Sequence, residues 1–258
     1  MQEPIMTHVG PLDDDDLTFP PPPEYSGEDL EILASLHRYR TWIVDAISPH
    51  VQGQVAEIGA GIGSFTADLL RLPTVRHIDV VEPSPPLFAH LQARFTGEER
   101  ITVIPRMCEE WSVKAEAASL DTVVMINVLE HIEDDLAVVN SIRQALRPGG
   151  KLVIFVPAMM FLFSELDRFY GHFRRYQRPG LAELMEKAGM TVLENRYFDL
   201  LGVLPWLVMN RWLGKIEFNP KQIALYDRIG IPITRTIETL IRPPFGKNLL
   251  LVAQRKAG

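Results

Sequence analysis

The sequence is short of cysteine, of long apolar runs and of excess positive charge, and each shortage excludes a class of protein. Cys108 is the only cysteine, so no disulfide can form within the chain and a reducing, cytoplasmic compartment is expected. The chain has 26 Lys and Arg against 33 Asp and Glu, a net charge of −7. Nucleic-acid phosphates are neutralised by clustered cations, so we expect no nucleic-acid partner.

The sequence also lacks a run long and apolar enough to span a bilayer, and its start does not resemble a secretory signal. The most apolar late stretch, residues 198–213, is interrupted by Asp199, Pro205, Asn210 and Arg211. We therefore expect no transmembrane segment. This stretch could still lie against a lipid surface or line an apolar pocket.

Composition divides the chain into an arm and one domain. Residues 1–24 contain Asp13 to Asp16 and Pro20 to Pro23, and such a segment cannot bury enough apolar area to offset its ordering entropy. We expect a disordered arm there and a single domain over residues 25–258. Leucines and other apolar residues at helical spacing from Leu30 to Ile43 predict a helix before the first strand.

Short β-rich runs alternate with helical periods over the rest of the domain. The predicted strands are Gln54 to Ile58, His77 to Val81, Ile101 to Ile104, Thr122 to Ile126, Leu152 to Val156, Thr191 to Tyr197 and Leu249 to Ala253. The predicted helices lie near Ser64 to Leu72, Pro86 to Phe95, Asp134 to Leu146 and Pro179 to Ala188. This order predicts an α/β fold, a Rossmann-like, doubly wound, mostly parallel seven-stranded sheet with an N-terminal helix and inserted cap segments.

Two segments are too long for simple loops and are predicted to be cap or substrate insertions. They are residues 158–177 and residues 199–246. The second contains Trp206, Met209 and Trp212, which could form an apolar lid. Large apolar residues at such spacing more often pack into the core of a protein.

A glycine-rich turn follows the first strand, as Glu57-Ile-Gly59-Ala60-Gly61-Ile-Gly63-Ser64. Glycines let the backbone turn sharply and let a ligand approach main-chain N–H groups at a helix start. Dinucleotide-binding folds use the same kind of glycine-rich turn, but the third glycine of their motif would fall at position 64, which is Ser64 here.

Polar groups also follow the second and fourth strands. Glu82 ends the second strand, where a carboxylate can accept hydrogen bonds from ribose hydroxyls. Asn127-Val128-Leu-Glu130-His131 follows the fourth strand, at the sheet's switch point.

These motifs, together with Leu146-Arg-Pro-Gly-Gly150, resemble class I S-adenosylmethionine-dependent methyltransferases. More narrowly, they are similar to the small-molecule branch that includes the quinone-ring methylases. The resemblance covers about half the chain, from Gln54 to Val156, and the combination is more specific than any one motif. It implies methyl transfer from S-adenosyl-L-methionine to a small-molecule acceptor that could be apolar or resemble a lipid or quinone.

The resemblance also implies a set of cofactor-binding positions. Glycines of the turn would face the methionine half, Glu82 would hold the ribose, and the loop after the third strand would lie beside the adenine. The implied residues are Glu57, Gly59, Ala60, Gly61, Gly63, Glu82, Pro83, Ser84, Met107, Cys108, Asn127 and Val128. Met107 stands where many family members have an acid that accepts the adenine amino group, so main-chain and apolar contacts are expected there instead.

His131 and His172 are the candidate catalytic bases. Some quinone-ring methylases bind a divalent cation with an acid-x-x-Glu-His group, but Asn127 replaces the first acid here, so no metal is expected. For His131, a hydrogen bond to the backbone is an equally good interpretation. His172 lies in a segment rich in aromatic and charged residues that could instead be purely structural.

Two other functions compete with the methyltransferase. An NAD(P)-dependent oxidoreductase would use a similar turn, but Ser64 and the Asn127 to His131 segment count against it. The other alternative is a catalytically silent methyltransferase-like binding protein. Such a protein would not need the intact glycines and Glu82, so their presence counts against it.

Overall fold

The computed structural model describes residues 35–215 and 219–256. The predicted arm over residues 1–24 and the predicted start of the first helix lie outside the described residues. The described part of that helix, α1, runs His37–Ile47 and buries Trp42, Ile43 and Ile47 against the sheet.

A seven-stranded sheet forms the centre of the domain, with strand order β3-β2-β1-β4-β5-β7-β6. The strands are β1 (Gly53–Ile58), β2 (Val75–Val81), β3 (Ile101–Ile104), β4 (Leu120–Ile126), β5 (Leu146–Pro157), β6 (Met190–Phe198) and β7 (Asn248–Arg255). Strands β1 to β5 pair in parallel, whereas β7 runs antiparallel to both β5 and β6. The predicted doubly wound, mostly parallel sheet is confirmed.

Helices cover both faces of this sheet. They are α1, α2 (Ser64–Leu69), α3 (Pro85–Arg94), α4 (Cys108–Lys114), α5 (Asp135–Ala145), α6 (Glu165–Phe169), α7 (Arg178–Lys187), α8 (Val203–Trp206), α9 (Pro220–Leu225) and α10 (Ile231–Leu240). A π-helical turn, Leu207–Trp212, continues α8, and another, Tyr226–Gly230, joins α9 to α10. Short 3-10 turns cover Ser48–His50, Leu129–His131 and Met160–Leu162.

Alternate residues of the central strands supply two separate cores. Val123 and Met125 of β4 face the layer of α4, α5 and α7, and Val124 between them faces the layer of α1, α2 and α3. This alternation follows from the pleat, and burial on both sides explains the nearly continuous apolar sequence of β4. The core fixes the sheet rigidly, so the loops at its carboxyl edge start from defined positions.

Both predicted insertions leave the sheet and return to it at that edge. Ala158 N–H donates to Lys247 O over 2.8 Å, and Lys247 N–H donates to Asp199 O over 3.1 Å, so the ends of the two insertions are joined. Helix α6 lies in the first insertion and α8 to α10 lie in the second. In the described ranges, no helix is both long and apolar enough to cross a bilayer.

Candidate active site

The turn after β1 brings the chain close to the end of β4. Gly59, Gly61 and Gly63 have φ angles of 69°, 58° and 76°, a left-handed conformation that glycine adopts without steric cost. A Cβ added at Gly59 would lie 2.5 Å from Cγ2 of Val128, so the absence of a side chain permits this close approach. The predicted need for glycine is thereby explained at Gly59.

Glu57 lies at the end of β1 beneath this turn and is 4% exposed. Its Oε2 is buried and has no hydrogen-bond partner. Burial raises the pKa of the Glu57 carboxyl to about 7. A buried carboxylate with an unpaired oxygen is a site for a cationic group, and the ammonium of an amino acid is one such group.

Glu82 connects the glycine turn to the turn after β2. Its Oε2 accepts a hydrogen bond from Gly61 N–H over 2.9 Å, and its Oε1 accepts one from Ser84 N–H over 3.0 Å. Burial raises the pKa of Glu82 despite these two hydrogen bonds. Each carboxylate oxygen has a second lone pair, so the group can still accept hydrogen bonds from ligand hydroxyls.

The turn after β4 also adopts an unusual backbone conformation. Asn127 has φ 53° and donates its N–H to Phe155 O over 2.7 Å, which fixes the turn against β5. The following 3-10 turn places Glu130 beneath the site and His131 at its surface. Non-glycine residues with positive φ are uncommon outside functional or strained turns, and asparagine is among the least strained.

The two histidines predicted as bases lie together, although they come from different segments. The rings of His131 and His172 meet edge to face with centroids 4.5 Å apart. The pKa of His131 is lowered to about 3, because surrounding protein disfavours its charged form and because His172 lies beside it. Its imidazole is therefore neutral near pH 7.

Glu130 lies next to this pair and is completely buried, and neither carboxylate oxygen has a hydrogen-bond partner. Burial raises its pKa to about 7. Ligand atoms of Glu130, His131 and His172 lie within 4.8 Å of one another, close enough to share one metal ion. The expectation that no metal is bound thus stays a prediction.

Asp167 organises the loop that carries His172. Its Oδ1 accepts hydrogen bonds from His172 Nδ1 over 2.9 Å and from Arg175 Nε over 2.8 Å. Its Oδ2 accepts from the N–H and the hydroxyl of Ser164, both over 2.8 Å, which caps α6. Burial alone would raise the pKa of Asp167, but the His172 hydrogen bond and the Arg175 guanidinium bring it below its usual value.

The two adjacent arginines of this loop, Arg174 and Arg175, point in different directions. Arg174 donates to Asp135 Oδ2 over 2.8 Å, whereas Arg175 is buried and lies over the Trp206 ring at 4.5 Å. Trp206 donates its indole N–H to Leu162 O over 3.1 Å. The first insertion and the start of the second are therefore packed together.

A cavity of about 300 Å³ connects these groups. Six predicted site residues line it, namely Gly59, Ala60, Gly61, Asn127, His131 and His172. The other walls are Leu36, Tyr39, Arg40, Ile43, Ile62, Ser64, Phe65, Ile126, Glu130, Phe155, Pro157, Tyr170, Arg175, Trp206, Lys247 and Asn248. The cavity thus runs from the glycine turn to the histidine pair at its far end, and Tyr39, Phe65, Phe155, Tyr170 and Trp206 contribute aromatic rings to its wall.

The remaining predicted residues do not line this cavity. Glu82, Pro83 and Ser84 follow β2, and Met107, which is 55% exposed, follows β3. Cys108 is buried, and its thiol pKa is raised to about 12 by burial and by neighbouring Glu109. These residues lie at the same sheet edge as the cavity, because the carboxyl ends of parallel strands share one edge.

Sequence reasoning missed Phe155, Lys247 and Asn248 as wall residues. Lys247 pairs with Asp199 over 3.0 Å and lies 5.1 Å from the Tyr39 ring centroid, while Tyr39 Oη donates to Asn248 Oδ1 over 3.0 Å. Phe155 could have been found from its place at the carboxyl end of the predicted strand β5. The signal for Lys247 and Asn248 is the direction of β7, because an antiparallel strand begins at the edge where its parallel neighbours end.

Comparison with known proteins identifies similar chains. A family model described as "Methyltransferase domain" matches residues 32–195. The chain is 25% identical over 207 residues to a ubiquinone biosynthesis O-methyltransferase of Xanthomonas axonopodis pv. citri, covering 72% of this chain and 82% of that protein.

Solved structures give the same fold at lower identity. A methyltransferase in complex with the Haloferax volcanii Trm112 methyltransferase activator has a TM-score of 0.65 and 14% identity, over 90% of this chain and 97% of that one. A Burkholderia thailandensis 1,6-didemethyltoxoflavin-N1-methyltransferase, solved with 1,6-didemethyltoxoflavin and S-adenosylhomocysteine, has a TM-score of 0.56 and 19% identity, over 90% and 84%.

Proposed function

The chain belongs to the methyltransferase domain family and is an S-adenosylmethionine-dependent methyltransferase, and from this premise we propose that its acceptor is an apolar, quinone-like or phenolic small molecule. The observation that carries the proposal is the single cavity that joins the glycine turn to the two histidines between aromatic walls. The 25% identity to a ubiquinone biosynthesis O-methyltransferase supports the same acceptor class.

The residues of the turn fit the cofactor that the family uses. Gly59, Ala60 and Gly61 line the cavity and would hold the methionine half. Glu57, beneath the turn, would attract its ammonium with the unpaired buried oxygen. Glu82 would accept hydrogen bonds from the ribose. Pro83, Ser84, Met107 and Cys108 would border the adenine, and Asn127 and Val128 would lie near the sulfonium.

The far end of the cavity suits an aromatic acceptor with few charges. Tyr39, Phe155 and Trp206 offer ring faces and edges, with which aromatic ligands pack favourably. Arg175 and Lys247 also reach the wall, but each is already paired with a buried aspartate. Because both charges are compensated, a neutral acceptor is favoured over an anionic one. Residues 158–177 and 199–246 would therefore act as acceptor-binding insertions.

His172 is the base in this proposal, and Asp167 positions it. With Nδ1 donating to Asp167, Nε2 of His172 carries the lone pair that can accept a proton from an acceptor hydroxyl. The cofactor supplies an activated methyl group on a sulfonium. Transfer of that methyl group would form an O–C bond and break the S–C bond, and His172 would take up the proton that the hydroxyl loses. His131 is neutral and beside it, where it can hydrogen-bond to the same oxygen.

The test measures S-adenosylhomocysteine release with catechols and hydroquinones that carry alkyl chains of increasing length. We expect turnover to rise with chain length. His172→Asn should lower kcat by about 10²–10⁴-fold while cofactor affinity in calorimetry stays unchanged. His90→Asn, at an exposed position of α3, is the matched control. A chain that methylates only charged hydrophilic amines, or an undiminished kcat in His172→Asn, would rule the proposal out.

A further inference from the structure

The helical segment of residues 220–240 buries one face and exposes an apolar one. This segment, the insertion helix, comprises α9, a π turn and α10 without a break. Asp227, Ile231 and Thr234 are buried on its inner side. The side chains of Leu225, Ile229, Ile233 and Leu240 are 59%, 52%, 50% and 80% exposed.

Those four exposed side chains share one side of the helix. Their spacings of four, four and seven residues return to the same side of a helix, and all four side chains are exposed, opposite the buried Asp227, Ile231 and Thr234. An outward apolar stripe of this length is unusual on a surface helix, whose exposed side is ordinarily polar. We therefore expect these four apolar side chains to contact an apolar environment outside the chain.

Basic residues run alongside the stripe. Lys221, Arg228 and Arg235 recur every seven residues of the insertion helix, which places them in a row beside the exposed apolar residues, and Arg242 lies just beyond the helix end at Leu240. Lys221, Arg228 and Arg242 are exposed, and Arg235 pairs with Asp45 of α1 over 2.9 Å.

The described acids of the same insertion are directed inward. Among the described residues between 200 and 247, the acids are Asp227 and Glu238. Asp227 accepts the N–H groups of Arg38 and Tyr39 over 3.1 and 2.9 Å, and Glu238 accepts that of Leu200 over 2.8 Å. The outer charges of the described insertion are thus positive, although the whole chain carries −7.

A similar composition occurs just before the insertion helix. Trp212 and Leu213 are 69% and 61% exposed, and the exposed cations Arg211 and Lys215 flank them. Tryptophan is favoured at the boundary between lipid head groups and acyl chains, because its ring is apolar and its N–H is polar.

We propose that the insertion helix docks on a membrane surface that contains anionic lipids. An apolar stripe beside a basic row is the pattern of helices that lie in the lipid interface, with the apolar side among the acyl chains and the cations at the phosphates. The positive outer charge in an acidic protein selects an anionic surface over a neutral one. Asp227 ties the buried side of this helix to α1, whose Tyr39 lines the cavity, so docking would bring the cavity close to the lipid.

The test is co-sedimentation of the full chain with vesicles of phosphatidylcholine and with vesicles that also contain phosphatidylglycerol. We expect binding to the anionic vesicles, much weaker binding to the neutral ones, and loss of binding as salt rises. Arg228→Glu should weaken binding at least about fivefold, and Ile233→Ser roughly tenfold.

Two variants of exposed residues outside the insertion are the matched controls. Lys256→Glu makes the same charge change as Arg228→Glu, and Val113→Ser removes an apolar side chain that is 76% exposed on α4. Both controls should bind like the unchanged chain. Circular dichroism and S-adenosylhomocysteine binding verify that each variant is folded. If Ile233→Ser does not fold, the vesicle binding of Arg228→Glu alone tests the proposal.

Three results would overturn the proposal. The first is no binding to anionic vesicles, and the second is equal loss of binding in the insertion variants and the controls. The third is a vesicle-free dimer that Ile233→Ser converts to a monomer, which would mean that a second copy covers the stripe. The vesicle assay needs no acceptor and no turnover, so its outcome is independent of the acceptor class proposed above.

Discussion

Replacing Asp167 by asparagine removes the charge at the centre of the loop that carries His172. The side chains of Asp167 and Arg175 are 0% and 1% exposed, so water cannot compensate for the lost charge. Asparagine has the same shape but only one acceptor oxygen. Its NH₂ group would face either Ser164 and Nη2 of Arg175, which donate to Oδ2 of Asp167, or His172 and Nε of Arg175, which donate to Oδ1.

The expected loss of folding free energy follows from the burial of the partner. Leaving one member of a buried ion pair without its counter-charge costs about 3–5 kcal/mol. We expect the lower end, about 3 kcal/mol, because Arg175 keeps the contact of its guanidinium with the Trp206 ring at 4.5 Å. A domain of this kind has about 5–15 kcal/mol of total stability, so the variant should still fold.

The loss is measured as the free energy of unfolding in urea of four proteins. Besides the unchanged chain and Asp167→Asn, the set contains Arg175→Met and the double variant. The double variant should be more stable than the sum of the two single losses predicts, with a coupling energy of about 2–3 kcal/mol. Glu165→Gln is the control, since Glu165 pairs with Arg168 at an exposed position of the same helix and should cost less than about 1 kcal/mol.

The pH dependence of the unfolding free energy tests whether Asp167 stabilises the fold in its charged form. The folded pKa of Asp167 lies below its usual value, so the stabilisation is fully present above about pH 4 and is lost as the pH falls through the folded pKa. The stability difference between the unchanged chain and Asp167→Asn should therefore shrink as the pH falls below about 4. Additive losses, or a difference that stays undiminished in strong acid, would refute this account of the pair.

Three further predictions concern the turn and the cysteine. Gly59→Ala should lower the free energy of unfolding by about 1–2 kcal/mol for the left-handed backbone alone. It should also weaken cofactor binding in calorimetry, because the new Cβ would lie 2.5 Å from Val128 Cγ2. Unchanged cofactor affinity would contradict the role of this turn. Cofactor affinity should rise with pH through about 7, where buried Glu57 ionises and can pair with an ammonium, and Glu57→Gln should lack this rise. Cys108, whose burial helps to raise its thiol pKa to about 12, should react with an aromatic disulfide reagent at neutral pH only after urea is added, and rapid reaction of the folded chain would show that the thiol is accessible.

The sheet and the glycine turn could be predicted because their signals are local. A run such as Thr122 to Ile126 is apolar on both faces, and only a strand buried on both sides requires that. The strand is in fact longer, Leu120–Ile126, because strand ends depend on pairing partners rather than on side-chain type. Helix α4, Cys108–Lys114, was missed, since seven residues are too few to establish a helical period.

The electrostatics of the site could not be predicted, because they depend on burial. Glu130 belongs to a recognisable Glu-His pair after the fourth strand, but the sequence does not reveal that its carboxylate is completely buried without a hydrogen-bond partner. Asp167 and Arg175 lie in a segment whose aromatic and charged residues indicate a structural role, but the sequence does not reveal that these two form a completely buried pair. A charged residue is buried only where tertiary contacts supply its partner, and no local pattern reveals that partner.

The wall of the cavity opposite the glycine turn depends on the reversal of one strand. In a fully parallel sheet, the residues before β7 would lie at the amino edge, far from Gly59. Because β7 runs antiparallel between β5 and β6, Lys247 and Asn248 instead enter at the carboxyl edge, where Asn248 receives the hydrogen bond from Tyr39. The second insertion must then end over the cavity, so its length and composition are free to vary with the acceptor while the cofactor half of the site stays on the parallel strands.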